Sequence, residues 1–153
     1  MPFFDMACHN GNSRRFGPMG WYGRRIFPCL EILATSGLGK IRERLLRQAF
    51  GTVVEIGAGA GQNYSYLPEN VHSYVATDPS PVMAGKANRK LQRLQNPQHF
   101  LYVVESAAEQ MPLKSETADT VISFLVLCTV SDPSSALFEI HRILRPNGRF
   151  LFF

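Results

Sequence analysis

Three alternating glycines follow an apolar stretch of the chain that carries one acidic residue, Glu55. They are Gly57, Gly59 and Gly61. A glycine lacks Cβ, so its backbone can approach a ligand closely, and amides in such a turn point toward whatever is bound. A tight turn without a ligand is the simpler interpretation, but three alternating glycines lose more conformational entropy on folding than that turn requires. The pattern therefore favours a site for a polar ligand.

The spacing of these glycines separates two kinds of nucleotide-derived ligand. The dinucleotide-binding pattern is Gly-x-Gly-x-x-Gly, whereas here the third glycine comes one position early and Gln62 follows it. The carboxylate of Glu55 is also a poor neighbour for a pyrophosphate, but a suitable one for a cationic amino group. The sequence thus argues against NAD.

A second carboxylate, Asp78, lies about 20 residues beyond the glycine turn, after the run Tyr74 to Thr77. At the tip of a second parallel strand, a carboxylate can accept hydrogen bonds from both hydroxyls of a ribose. Alternatively, Asp78 caps the helix that follows, a role that Ser80 could also fill. The first interpretation predicts an adenosine-containing ligand without identifying it.

The elements that must hold these residues alternate between strands and helices from position 51 onward. Strands are expected at 52–56, 73–77, 100–104, 120–125 and 149–153, and helices near 61–67, 80–95 and 133–144. Such alternation gives parallel βαβ units with right-handed crossovers. We therefore predict an α/β fold: a Rossmann-like parallel sheet of order 3-2-1-4-5 flanked by helices. The last helix should end before Pro146, with a left-handed turn at Gly148.

The first 50 residues have a different character. Residues 1–20 are rich in Gly, Asn, Ser and Pro and predict an irregular arm, while 21–153 should form a single domain. Two helices are expected at 22–34 and 38–49, the second with an apolar stripe of Ile41, Leu45 and Leu46. They would pack against one end of the sheet as a helical lid.

Together these motifs resemble the class I S-adenosylmethionine-dependent methyltransferases, in particular the type 11 branch of small-molecule, quinone-precursor and phospholipid methyltransferases. The similarity covers roughly residues 50–153 and five segments in the same order. They are Glu55-x-Gly57-x-Gly59-x-Gly61, Asp78, the adenine-flanking loop 106–112, the fourth strand beginning Ala118-Asp119-Thr120-Val121, and the helix and turn 139–149.

The resemblance implies S-adenosyl-L-methionine as the cofactor and assigns residues to it. Glu55, Gly57 and Gly59 would surround the methionine portion, and Asp78 the ribose. Members often carry an acidic residue where Ala107 stands, so contact with adenine is expected from the backbone or methyl groups of the loop. The full set of cofactor-binding residues implied is Glu55, Gly57, Ala58, Gly59, Gly61, Asp78, Pro79, Met83, Ala107, Ala108 and Phe124, with Tyr22 as a lid contact. Tyr22 and Trp21 could instead anchor their helix to the core.

The implied reaction needs little from the protein beyond orientation. A sulfonium is a good leaving group, so the methyl group would transfer by direct in-line displacement to a small-molecule or lipid-like acceptor. We nominate no catalytic residue, since none of the four histidines is expected beside the methyl group. The alternative is a methyltransferase-like protein that binds the cofactor but is inactive or is completed by a partner.

Composition restricts the other functions. Residues 1–50 hold eight Lys and Arg against three Asp and Glu, and residues 51–153 hold eight against nine, so the basic excess lies outside the expected cofactor site. This leading segment could meet nucleic acid or an anionic surface, but no Asn/Asp-Pro-Pro-Tyr-type motif follows the fourth strand. Nucleic acid is therefore not expected as a partner. The three cysteines show no zinc spacing, so no metal is expected.

Two further expectations concern the compartment and the end of the chain. No apolar run approaches the length of a membrane-spanning helix, which predicts a soluble, cytoplasmic protein. The apolar segment 150–153 would be the fifth strand, whereas the family continues with two more strands and a helix. We therefore expect a truncated or partner-completed chain, with a possible homo-oligomer through the exposed edge of that strand.

Overall fold

The computed structural model describes residues 36–94 and 100–153. A short 3₁₀ turn, Ser36–Leu38, leads into helix α1. The elements after it are α1 (Gly39–Leu46), β1 (Gly51–Ile56), a 3₁₀ turn (Asn63–Tyr66), β2 (Val71–Asp78), α2 (Pro81–Arg93), β3 (Phe100–Glu105), β4 (Ala118–Ser123), α3 (Pro133–Ile143) and β5 (Leu144–Phe152). The predicted arm 1–20, the helix 22–34 and the lid contact Tyr22 lie outside the described residues.

The five strands form one parallel sheet of order β3-β2-β1-β4-β5, which confirms the predicted fold class and strand order. Because β1 lies at the centre, between β2 and β4, its apolar side chains are buried on both faces of the sheet. Val53 belongs to the core on one face, with Leu46 of α1 and Leu91 of α2. Val54 belongs to the core on the other face, with Ile140 of α3.

Local sequence explains where the helices begin. Ser80 caps α2 by accepting a hydrogen bond from the amide of Met83 at 3.4 Å, and Asp132 caps α3 by accepting from Ser134 at 3.0 Å. A proline follows each cap as the first helical residue, where its missing N–H costs nothing. These two helices therefore begin within a residue of the predicted positions.

Two sequence-based expectations about helices were wrong. The predicted helix 61–67 is only the 3₁₀ turn Asn63–Tyr66, because Pro68 forces Leu67 into extended backbone, with ψ of 140°. In α1, the expected stripe of Ile41, Leu45 and Leu46 is shifted round the helix. Ile41 is 40% exposed, whereas Arg42 is buried together with Leu46, one turn further on.

The turn between α3 and β5 also differs from the expectation. Asn147, and not Gly148, has the left-handed backbone, with φ of 67°. Glycine is required at position 148 for space, since a Cβ there would lie 2.9 Å from the carbonyl oxygen of Arg145. Strand β5 begins at Leu144, earlier than predicted, because pairing with β4 starts at Ala118 and Leu144.

Candidate cofactor site at the carboxyl ends of the strands

The glycine turn leaves β1 at the carboxyl end of the sheet and is fixed to β2. Gly57, Gly59 and Gly61 all have positive φ, between 55° and 73°. The amide of Ala58 donates a hydrogen bond to the carbonyl of Thr77 at 2.9 Å, so the turn lies over the end of β2. At position 57, a Cβ would come within 2.5 Å of the side chain of Val126. Glycine is thus needed there for both backbone conformation and space.

The carboxylate of Asp78 connects this turn to the start of α2. Its Oδ2 accepts a hydrogen bond from the amide of Gly59 at 3.0 Å, and its Oδ1 accepts from the amide of Ser80 at 2.8 Å. Burial raises the pKa of Asp78, although both hydrogen bonds act in the opposite direction. A carboxylate oxygen can accept more than one hydrogen bond, so each oxygen keeps capacity for a ligand hydroxyl.

Glu55 lies beneath the turn, with 1% of its surface exposed. Its carboxylate accepts hydrogen bonds from the amide group of Asn63, at 2.7 Å, and from the hydroxyl of Tyr74. Burial raises the pKa of Glu55, whereas those hydrogen bonds and the charges of Arg42 and Lys90 lower it. The net pKa is about 7, above the ordinary value of 4.5. The group is therefore poised to change its charge near neutral pH.

Asn63 carries an acceptor that remains unsatisfied. Its Oδ1 is buried and has no hydrogen-bond partner among residues 36–94 and 100–153, while its Nδ2 donates to Glu55. A buried carbonyl without a partner costs free energy of about 1 to 3 kcal/mol. It is therefore a candidate acceptor for a ligand N–H group.

Arg42 brings a buried cation to the same region from α1. Its guanidinium carbon lies 4.7 Å from the centre of the Phe124 ring, directly after β4, and 6% of the residue is exposed. The same ring also stacks on Phe153, at 5.2 Å between centroids. Arg42 also acts electrostatically on Glu55. Arg42 was not predicted as a site residue. Its spacing of four residues from the core residue Leu46 could have indicated that it lies on the buried face of the helix.

The loop after β3 also contacts Asp78. The amide of Ser106 donates to the carbonyl of Asp78 at 3.2 Å. In this loop Ala107 is exposed, whereas Ala108 is buried in the core beneath. Met83, in the first turn of α2, is buried, and Pro79 is half-buried. Of the predicted site residues, those described by the structure thus border the carboxyl ends of β1, β2, β3 and β4.

The chemistry of these groups fits S-adenosylmethionine. Its ribose hydroxyls are donors that suit the carboxylate of Asp78, and its methionine ammonium suits the unsatisfied Oδ1 of Asn63 beside Glu55. Its carboxylate suits the guanidinium of Arg42. Groups suited to both ends of the methionine zwitterion therefore surround Glu55, which bonds Asn63 and is within electrostatic reach of Arg42.

Fold and site together define a Rossmann-like domain of the class I methyltransferase type. Residues 54–152 match the model of the methyltransferase domain family. Because that match spans well over half of the chain, this protein belongs to the methyltransferase domain family. Family membership confirms the predicted class of enzyme domain and supports S-adenosylmethionine as its cofactor.

Similar proteins are also named as methyltransferases. Over 138 residues the chain is 28% identical to the mouse (Mus musculus) protein named thiol S-methyltransferase TMT1B, covering 82% of this chain and 56% of that protein. Over 105 residues it is 34% identical to the uncharacterized methyltransferase MT3445 of Mycobacterium tuberculosis, covering 69% of this chain and 40% of the relative. The chain thus spans about half the length of the relatives it matches.

The fold is shared with solved structures. The YcgJ protein of Bacillus subtilis superposes with a TM-score of 0.65 and 25% sequence identity, over 75% of this chain and 48% of that one.

Within the described part of the chain, no helix is both long and apolar enough to cross a membrane.

Proposed function

We propose that this chain catalyses S-adenosylmethionine-dependent methyl transfer to a small-molecule or lipid-like acceptor. The observation that carries the proposal is the hydrogen bond from the amide of Gly59 to Asp78, at 3.0 Å. It joins the two motif elements, the glycine turn and the acidic residue after β2, in one site.

Each residue of the site has a role in this proposal. Asp78 accepts the ribose hydroxyls, Glu55 and Asn63 surround the methionine ammonium, and Arg42 binds the methionine carboxylate. The backbone of the turn approaches the cofactor, and side chains from α2, the loop after β3 and the end of β4 flank it. These further residues are Gly57, Ala58, Gly59, Gly61, Pro79, Met83, Ala107, Ala108 and Phe124, with Tyr22 proposed as a lid contact.

The protein's contribution to the reaction is orientation and exclusion of water. When bound, the cofactor supplies a methyl group activated by its sulfonium, which an acceptor nucleophile can attack in line. Phe124 and Met83 are apolar and buried, so they can keep water from the reacting atoms. No side chain is proposed as a catalytic base, because a thiolate or amine acceptor can arrive already deprotonated.

A thiol is the first acceptor class to test, because relatives of this chain are named thiol S-methyltransferases. The experiment is a transfer assay with S-adenosylmethionine carrying a labelled methyl group and matched alkyl thiol, amine and alcohol acceptors of equal chain length. Label in the thioether product, and its loss in Asp78→Ala, would support the proposal. Cofactor binding without transfer to any acceptor would instead favour the second candidate, a cofactor-binding protein that is inactive or completed by a partner.

The outer edge of β5 favours a role for a partner. Within residues 36–94 and 100–153, β5 pairs with β4 alone, and Phe152 and Phe153 near that edge are 61% and 50% exposed. An apolar strand edge of this kind can pair with another chain. We propose that two copies associate there. Sedimentation should show a concentration-dependent dimer that Phe152→Lys abolishes, and a purely monomeric protein at all concentrations would contradict this.

A further inference from the structure

A groove with a volume of about 590 Å³ lies between helix α2 and the 3₁₀ turn Asn63–Tyr66. One wall carries four cationic side chains of α2, and the other carries Ala60 of the glycine turn and Ser65. The four cations are Lys86, Arg89, Lys90 and Arg93. Their spacing of three and four residues puts them on one face of the helix.

Little acidic charge accompanies this groove: the buried Glu55 acts electrostatically on Lys90, and the segment around α2 supplies no acid. From Pro79 to Val104 the sequence contains no Asp or Glu, although half of the Lys and Arg residues of the segment 51–153 lie there. Among the described residues, none of the four cations forms a salt bridge. Like charges three or four residues apart destabilise a helix by a few tenths of a kcal/mol per pair. The arrangement thus has a cost that an anion in the groove would remove.

Interaction with the helix dipole explains only some of the four cations on α2. Lys90 and Arg93 lie in the last turn, where cations interact favourably with the helix dipole. Lys86 is in the middle of the helix and gains nothing there. Burial, and after it the charge of Arg42, lowers the pKa of Lys90, while the charge of Glu55 acts in the opposite direction.

We propose that this groove is a binding site for a phosphate group, carried either by a free phosphorylated molecule or by a phospholipid headgroup. Guanidinium groups bind phosphate through paired N–H donors, lysines add point charges, and the Ser65 hydroxyl can donate a further hydrogen bond. S-adenosylmethionine contains no phosphate, so the groove is a second site, separate from the cofactor site. None of the residues proposed to hold the cofactor lines the groove, although Ala60 places it next to the glycine turn.

The test compares two neutralised variants of the same chain. Lys86→Gln combined with Arg93→Gln removes two charges from the groove. Lys40→Gln combined with Arg44→Gln removes two exposed charges from α1 and is the matched control. The probes are pyrophosphate, followed by calorimetry, and sedimentation with phosphatidylcholine vesicles with or without phosphatidylinositol 4-phosphate. Circular dichroism checks that both variants fold.

The groove variant should bind at least about tenfold more weakly, since it loses charge-assisted hydrogen bonds, while the control changes less than about twofold. Binding of pyrophosphate would identify a free ligand as the source, and binding of the phosphorylated vesicles alone would identify the headgroup. Both outcomes support the site. Three results would overturn it: no binding of either probe, equal weakening in both variants, or displacement of pyrophosphate by S-adenosylhomocysteine.

Discussion

The carboxylate of Asp78 binds the amide of Gly59 through Oδ2, at 3.0 Å, while Oδ1 binds the amide of Ser80, at 2.8 Å. One buried side chain thereby fixes the position of the glycine turn relative to the end of β2 and the start of α2. In the proposed function the same carboxylate also accepts the ribose hydroxyls. Asp78 thus has a structural role and, in the proposed function, a ligand-binding role, which unfolding and ligand titration measure separately.

Replacing Asp78 by Ala should weaken binding of S-adenosylhomocysteine by more than about 1 kcal/mol, because charge-assisted hydrogen bonds to the ligand are lost. Calorimetric titration measures the affinity, and urea unfolding of the same variant reports the structural role. Asp132→Ala is the control, since Asp132 caps α3 and is absent from the proposed site. An unchanged affinity in Asp78→Ala, with the fold intact, would remove Asp78 from the site.

Glu55 should make the free energy of unfolding depend on pH. Its pKa in the folded state is about 7, above the ordinary value of 4.5, so the folded state binds more protons than the unfolded state between those values. Stability contributed by this group is thus complete below pH 4.5 and declines as the pH rises to about 7, by about 3 kcal/mol. Urea unfolding of the wild type and of Glu55→Gln across this range measures the difference.

The variant Tyr74→Phe extends this test. The Tyr74 hydroxyl lowers the pKa of Glu55, so its removal should move the decline in stability to higher pH. If the stability difference between the wild type and Glu55→Gln were the same at every pH, Glu55 would not titrate in this range. The raised pKa of Glu55 would then be wrong.

Gly57→Ala should destabilise the fold by about 2 to 4 kcal/mol. Alanine is strained at the φ of 59°, and its Cβ would meet the side chain of Val126. Val126→Ala in the same chain should restore the steric part of this loss and leave the backbone part. Gly85→Ala is the matched control: it lies in α2 with open space around it, and should stabilise the protein slightly. A loss as large at Gly85 as at Gly57 would contradict this account.

Arg142 should hold the loop after β3 against α3. Its guanidinium donates to the carbonyls of Leu113, at 2.7 Å, and Met111, at 3.1 Å, and pairs with Glu139. Arg142→Met should therefore cost about 2 to 3 kcal/mol of unfolding free energy and speed hydrogen exchange in the loop 106–113. Arg145→Met, which breaks a more exposed pair with Asp119, should cost less than about 1 kcal/mol. Equal losses would exclude a special role for Arg142.

The sheet could be predicted because its strands contain short apolar runs between turn residues, and parallel connectivity leaves few possible orders. The polar first half of β5 lacks such a run, and its start was predicted too late. The positive φ of Gly57 and Gly59 and the position of Asp78 after β2 follow from local spacing, while their role in cofactor binding remains a prediction. Arg42 and Asn63 could not be predicted, since their importance comes from contacts with Phe124 and Glu55, which are distant in sequence or depend on an irregular turn. The failed helix at 61–67 has a local cause that the sequence did contain, because Pro68 forces Leu67 into extended backbone and ends the turn.

The central claim is that Asp78 and the glycine turn form a site for S-adenosylmethionine. The most direct measurement is calorimetric titration of the purified chain with S-adenosylmethionine, S-adenosylhomocysteine and NAD in parallel, repeated with Asp78→Ala. We expect micromolar binding of the first two ligands, weakened in the variant, and no binding of NAD. Binding of NAD in preference to S-adenosylmethionine, or equal affinity of wild type and variant for S-adenosylmethionine, would contradict it.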